Sequence, residues 1–201
     1  MRARGWAGAW GAGPSMRGMA LGDAILAALR HGESSGYDLA KAFDVAVANY
    51  WTATPQQLYR ELDRLTRDGL VVAEVVEQQK RPNKRVYSLT DAGRAAVRRF
   101  CAEPPRPTAI RDELLVQLEA MGQSDIGAVR THVGARLAAS ADKLAAYERD
   151  RDVLLDGRDE ADLLASGEPL GRYLTLARGI AFEQENVRWC QFALAALDRR
   201  G

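Results

Sequence analysis

Between Thr54 and Thr90 the pattern of apolar and polar positions changes period twice. Leu58, Leu62 and Leu65 recur at helical spacing within TPQQLYRELDRLTRDG, which predicts an amphipathic helix with one buried stripe. Thr54 and Gln57 form a capping box, Pro55 takes the first helical position where its missing N–H costs nothing, and Gly69 supplies the stop. Two β-branched or apolar runs follow, at 71–76 and 86–89, separated by the basic turn QQKRPNKR; they predict a hairpin. Upstream, MALGDAILAALR at 19–30 predicts a first helix. HGESSGYDL then turns through Gly32 and Gly36 into a second, carrying Leu39, Ala42 and Phe43. Three helices followed by a hairpin make a winged helix-turn-helix, and a further helix is expected from Asp91 to about Cys101.

The stretch AEPPRPTA breaks regular structure with three prolines and sets a boundary. The expected division is a tail at 1–18, a winged helix-turn-helix at 19–103 and a helical domain at 104–201. In the last of these a helix at 110–121 precedes a long one capped by Ser124 and Asp125. Ile126, Val129, Val133, Leu137, Ser140, Leu144, Tyr147, Arg151 and Leu154 recur along it at alternating steps of three and four, a coiled-coil seam. DGRDEADLLASGEPLG turns the chain, its acidic part at 156–162 reading as a solvated loop. The final helix repeats the seam through Tyr173, Ala177, Ile180, Gln184, Val187, Gln191 and Leu194. Two such helices make an antiparallel hairpin about 45 Å long at 1.5 Å per residue. With few large side chains and no globular core expected of its own, the hairpin needs a partner, and a second copy of the chain is the expected one. Val133, Leu137, Leu144, Ile180, Val187 and Leu194 are the candidate dimerisation residues. The fold class is therefore mainly α, a winged helix-turn-helix followed by a coiled-coil-like dimerisation domain.

Charge sharpens the division. Residues 1–100 carry 15 Lys+Arg against 10 Asp+Glu and residues 101–201 carry 13 against 17, so only the first half suits a polyanion. Opposite the leucine stripe lie Gln56, Arg60, Asp63, Arg64 and Arg67, with Gln57 and Tyr59 on the flanks. Arg suits guanine, Gln suits adenine, and free N–H groups at a helix start favour phosphate. Lys80, Arg81, Lys84 and Arg85 crowd the hairpin turn, where they can lie along phosphates or enter a minor groove. Candidate DNA contacts are Thr54, Gln56, Gln57, Tyr59, Arg60, Arg64, Lys80, Arg81, Lys84 and Arg85. The other class of function for this arrangement is a protein-interaction module that binds no DNA.

Nothing in the sequence suggests catalysis. His31 and His132 fall in different predicted domains, and no HExxH, P-loop or GxSxG occurs. Two cysteines, Cys101 and Cys190, without a short-spaced pair, suggest neither disulfide nor zinc, and no metal or cofactor is expected. Glycines and a proline interrupt the opening MRARGWAGAWGAGPS too early for a signal peptide, and no segment is apolar enough for a membrane span; a cytoplasmic protein is expected.

Three segments, AILAALRHGESSGYDLAKAF at 24–43, PQQLYRELDRLTRDGLV at 55–71 and KRVYSLTDAGRAAV at 84–97, together resemble the PadR family of bacterial transcriptional regulators. The marks are a Gly-Tyr pair opening the second helix, a Leu-Tyr in the third, a Leu-x-x-Asp-Gly-Leu exit and a Tyr-x-Leu-Thr-x-x-Gly exit from the wing. IRDELLVQL at 110–118 and RYLTLARGIAFEQENVRWCQFALAAL at 172–197 extend the likeness to long-tailed members. The resemblance implies a repressor that binds an inverted-repeat operator as a homodimer, its two recognition helices roughly 34–36 Å apart. It also implies release by a small aromatic compound, such as a phenolic acid, bound between the winged helix and the dimerisation helices. Trp51, Tyr173, Phe182, Trp189 and Phe192 are the aromatic residues available to line such a site.

Overall fold

The computed structural model describes residues 21–45, 53–77, 83–105, 111–122, 125–166 and 170–199. The expected tail at 1–18 lies outside them. The chain divides into two compact units, Met1–Pro104 and Pro105–Gly201.

In the first unit, α1 (Leu21–Ala28) tightens into one 3-10 turn, Leu29–His31, and β1 (Ser34–Ser35) leads into α2 (Gly36–Val45). Then come α3 (Pro55–Arg67), β2 (Val71–Val76), β3 (Lys84–Leu89) and α4 (Asp91–Ala102). The antiparallel sheet runs β1-β3-β2, with Ser34 opposite Tyr87 and Val71 opposite Leu89. The sequence predicted a turn where β1 lies. Ser34 and Ser35 are too short and too polar to announce a strand, and only their pairing with β3, over fifty residues away, makes them one. The second strand also begins two residues earlier than expected, so Lys84 and Arg85 belong to β3 and not to the turn.

The leucine stripe of α3 is spent inward: Leu58, Leu62 and Leu65 are buried among Ile25, Leu29, Leu39, Phe43, Tyr87 and Val97. The four sequence marks become two contacts in space. Where α2 begins, Gly36 has no Cβ; one placed there would lie 2.4 Å from Cε1 of Tyr59, so the glycine of the first mark makes room for the tyrosine of the second. Where α3 ends, Gly69 takes a left-handed φ of 71°, the Gly69 N–H donates to Thr66 O at 3.1 Å and the Leu70 N–H to Leu65 O at 3.0 Å. This pair of bonds closes the helix. The Thr90 N–H donates to Leu70 O, its hydroxyl donates to Gly69 O at 2.7 Å, and the same hydroxyl caps α4 by accepting from the Gly93 N–H. A Cβ on Gly93 would meet Leu70 O at 2.1 Å, so this glycine is needed for α4 to approach the exit of α3.

The second unit holds α5 (Glu113–Ala120), α6 (Ile126–Leu155), α7 (Glu160–Ser166) and α8 (Leu170–Asp198). α6 and α8 pair along their lengths, and α6 buries Val129, Val133, Ser140 and Tyr147 from the expected seam. On α8 the seam differs. Tyr173 and Ile180 are buried as expected, but beyond them the buried positions include Glu183, Cys190 and Leu197, while Gln184 and Gln191 are exposed. The expected seam stepped by four from Ile180 to Gln184; the structure steps by three and gives the buried Glu183 partners in Lys143 Nζ at 3.4 Å and Asn186 Nδ2 at 3.0 Å. A second correction concerns 160–166, expected as part of a solvated loop. It is a helix, because Leu163, fully buried, gives it an anchor that the acidic composition concealed.

Nor does the hairpin lack a core. Leu114, Val129, Val133, Cys190, Ala193 and Leu197 form one beneath α5. α5 is fixed by Asp112, whose carboxylate accepts from the Leu114 N–H and takes both Arg136 amino groups at 2.8 and 2.9 Å. That fork holds the Asp112 carboxyl below its usual range. Among the described residues no helix is long and apolar enough to cross a membrane.

Candidate nucleic-acid interface

The capping box is present: the Gln57 N–H donates to Thr54 Oγ1 at 3.2 Å and the Thr54 N–H to Gln57 Oε1 at 2.9 Å. Its formation changes what the two side chains can do. A bidentate grip on adenine needs both ends of a glutamine amide, and the Gln57 oxygen is already engaged. Gln56 and Arg60 are exposed beside it, and Arg60 has no ion pair among the described residues. Tyr59 is 43% exposed, its ring edge against Gly36 and its remaining surface outward.

Arg64, expected among the DNA contacts, is otherwise occupied. It hydrogen-bonds Glu61 through Nε and Nη2 and Asp68 through Nη1, and the Glu61 carboxylate raises its pKa. An arginine bonded along both edges to carboxylates has no free fork for a base or a phosphate. Periodicity placed it correctly on the polar face, but acids at three and four residues' distance on that face took up its charge.

On the wing, Lys84 and Arg85 are exposed, and Arg85 reaches Asp63 of α3 at 3.6 Å, tying strand to helix. Lys80 and Arg81 lie outside the described residues. Between wing and helix runs a groove of about 330 Å³ lined by Ser35, Tyr37, Tyr59, Asp63, Lys84 and Arg85 among others. Tyr37, 72% exposed at the start of α2, lines this groove and was not among the candidate contacts. Its signal was the Gly-Tyr pair, read as a family mark and not as a surface. Ser35 caps that helix, accepting from the Asp38 N–H and donating to the Asp38 carboxylate at 2.6 Å.

Of the residues expected to line a ligand site, Tyr173, Phe182, Trp189 and Phe192 all lie on α8 and differ in burial. Trp51 lies outside the described residues. Tyr173 is buried, and burial together with Glu160 beside it pushes its phenol pKa up. Trp189 packs against the core beneath α5, whereas Phe182 and Phe192 are exposed, the former under the Arg178 guanidinium at 5.4 Å. The candidate dimerisation residues are largely engaged inside the single chain. Val133 and Ile180 are buried within the single chain, Leu137 and Leu194 pack against the same core, and Leu144 and Val187 are half-buried. The seam is satisfied in cis because α6 and α8 complete each other. What α8 leaves outside is Leu174, Phe182 and Phe192.

Among the described residues no group of three or more His, Cys, Asp or Glu is placed to hold a metal. Residues 25–99 match the transcriptional regulator PadR-like family and residues 110–198 the family described as virulence activator alpha C-term. A probable transcriptional regulator of Mycobacterium tuberculosis is 37% identical over 193 residues, covering 90% of this chain and all of the relative. The negative transcriptional regulator PadR of Bacillus subtilis is 29% identical, covering 88% and 96%. The crystal structure of that regulator with operator DNA is similar at a TM-score of 0.73 with 27% identity, over 90% of this chain and 99% of the other. Its structure with p-coumaric acid is similar at 0.63 with 26% identity, over 89% and 95%.

Proposed function

We propose, for a chain that belongs to the PadR-like family of transcriptional regulators, that it is a repressor which binds an inverted-repeat operator as a homodimer and is released by a small aromatic effector. Regulation of transcription through DNA is the activity of its family, and the chain is not an enzyme. The observation that carries the finer reading is the surface where α3 and β3 meet. Gln56, Tyr59 and Arg60 are exposed on a helix whose other face is locked in the core, and Tyr37, Lys84 and Arg85 line one groove with Tyr59. Rigid support on one side and free donors on the other is what base readout requires. Gln56 and Arg60 read bases in this scheme, Tyr37, Tyr59 and Lys84 hold phosphates, and Lys80 and Arg81 extend the wing along the backbone. Thr54 and Gln57 act by building the helix start. Arg64 has no DNA role in it.

The sign of regulation is supported by the Bacillus relative, a negative regulator, and the effector class by that protein's complex with a phenolic acid. For the homodimer, the exposed Leu174, Phe182 and Phe192 of α8 offer the apolar surface that the seam does not. The experiment is operator selection from random DNA, followed by titration of variants. An operator of two inverted half-sites about one turn apart is expected, with Arg60→Ala costing about 1–3 kcal/mol and relaxing preference at one position per half-site. Arg64→Ala should leave preference intact. A single unrepeated site, or equal loss on all sequences for Arg60→Ala, would overturn the reading.

A further inference from the structure

The outward face of α3 carries an acid to which DNA recognition has so far given no part. Gln56, Arg60, Asp63 and Arg67 follow one another at steps of four, three and four, so they form a single row along the helix, and all four are exposed. The neighbouring acids Glu61 and Asp68 are engaged with Arg64, at 2.5 and 2.7 Å. Asp63 is placed differently. Arg67 folds back onto its backbone carbonyl and not onto its carboxylate. Arg85, across the groove, stays 3.6 Å away with both side chains 62% exposed. That contact ties strand to helix but is too long for a hydrogen bond. Among the described residues lining the groove with Tyr37, Tyr59, Lys84 and Arg85, Asp63 is the one acid.

A carboxylate accepts hydrogen bonds and donates none, and it repels phosphate. On a surface offered to a polyanion it therefore weakens every contact that ignores sequence. In the major groove it meets a donor in the amino group of cytosine, whereas guanine shows two acceptors, thymine shows one, and adenine sets its N7 acceptor beside its amino group. We infer, on the reading of α3 as the helix that reads bases, that Asp63 is a specificity-determining residue: it accepts from a cytosine amino group and turns away sites with guanine or thymine at that position. Three residues separate it from Arg60, about 4.5 Å along the axis against about 3.4 Å for one base step, so the two side chains address neighbouring positions. Arg85 holds the carboxylate at the groove and offsets its charge against the phosphates.

The test compares the full chain with its Asp63→Asn, Asp63→Ser, Arg85→Met and Arg60→Ala variants, by selection from random DNA and then titration of sites changed at one position. Asp63→Asn and Asp63→Ser should each relax one position per half-site, at which the unaltered chain selects cytosine. Discrimination there against guanine and thymine should fall by about ten- to a hundredfold. Affinity for unrelated DNA should rise, because a negative charge is gone, and thermal unfolding should be unchanged at this exposed position. Arg85→Met breaks the same ion pair, yet should weaken binding to all sequences alike, lower the salt slope by roughly 0.9 and keep the cytosine preference. Preference unmoved in both Asp63 variants, or selection of another base at the position they relax, would overturn the inference. So would an equal shift of preference in Arg85→Met, since Asp63 would then act only through the ion pair. The two readings fail separately. A position relaxed by Arg60→Ala but none by the Asp63 variants leaves base readout by α3 standing and removes Asp63 from it; the converse keeps Asp63 and removes Arg60.

Discussion

The two units spend their apolar residues differently. In the winged-helix unit the large side chains converge on one closed core, and the exposed face of α3 is polar because its stripe has been used up. In the helical unit α6 and α8 bury Ser140 and Glu183 along with their aliphatic residues, while Phe182, Phe192 and Leu174 stay outside. The first unit gathers its helix stripes on one core and leaves exposed Tyr37, Tyr59 and the strand valines Val72, Val75 and Val76; the second buries the charged Glu183 and leaves Leu174, Phe182 and Phe192 exposed on one helix. The contrast teaches that a heptad seam does not by itself announce an oligomer, since a seam can be completed by the chain's own second helix. The surface left for another copy is found by asking what remains exposed.

The largest expected effect is on the core of the first unit. Leu62→Ala should cost about 2–5 kcal/mol in urea unfolding, whereas Phe192→Ala should stay within about 0.5 kcal/mol for the single chain. Similar losses at both would break the comparison. Next comes the surface of α8: Phe182→Glu with Phe192→Glu should weaken self-association by about 2 kcal/mol or more, seen by sedimentation velocity, and operator affinity should fall with it. A double variant that associates as before would return the interface to some other face.

A smaller effect sharpens the contact between α2 and α3. Gly36→Ala puts a methyl where the Tyr59 ring lies, so the ring must move; operator affinity should drop by about 1 kcal/mol while unfolding changes little. The smallest concerns acid. Because Asp112 is held below its usual pKa by Arg136, the folded chain favours its charged form. The stabilisation is complete above about pH 4 and is lost as pH falls through the lower folded value. The pair is partly exposed, so its worth is about 1 kcal/mol or less. Asp112→Asn should flatten the acid side of the helical unit's stability profile, and an unchanged slope would show that other carboxylates set it.

Much of this was legible because local chemistry and tertiary need agree in the winged-helix unit. Thr54, Pro55, Gln57 and Gly69 specify the ends of α3 by hydrogen bonds within a few residues, and its three leucines specify the buried face. The polar surface followed from the same periodicity, and Gln56, Tyr59 and Arg60 are exposed on it as expected. For Arg64, face and neighbours are separate questions: Glu61 and Asp68 were present in the sequence, but only side-chain geometry shows that they close around it.

The sequence by itself determined the helical segments other than α7, where α3 and α4 are capped, the family to which the chain belongs and the charge difference between its halves. These depend on short-range hydrogen bonds, on periodicity and on composition. Only the tertiary structure decided that Ser34 and Ser35 form a strand, that α8 turns Glu183 and not Gln184 inward, and that Leu163 anchors a helix in an acidic stretch. Each of these depends on partners distant in sequence, whose burial and pairing outweigh what the local residues prefer.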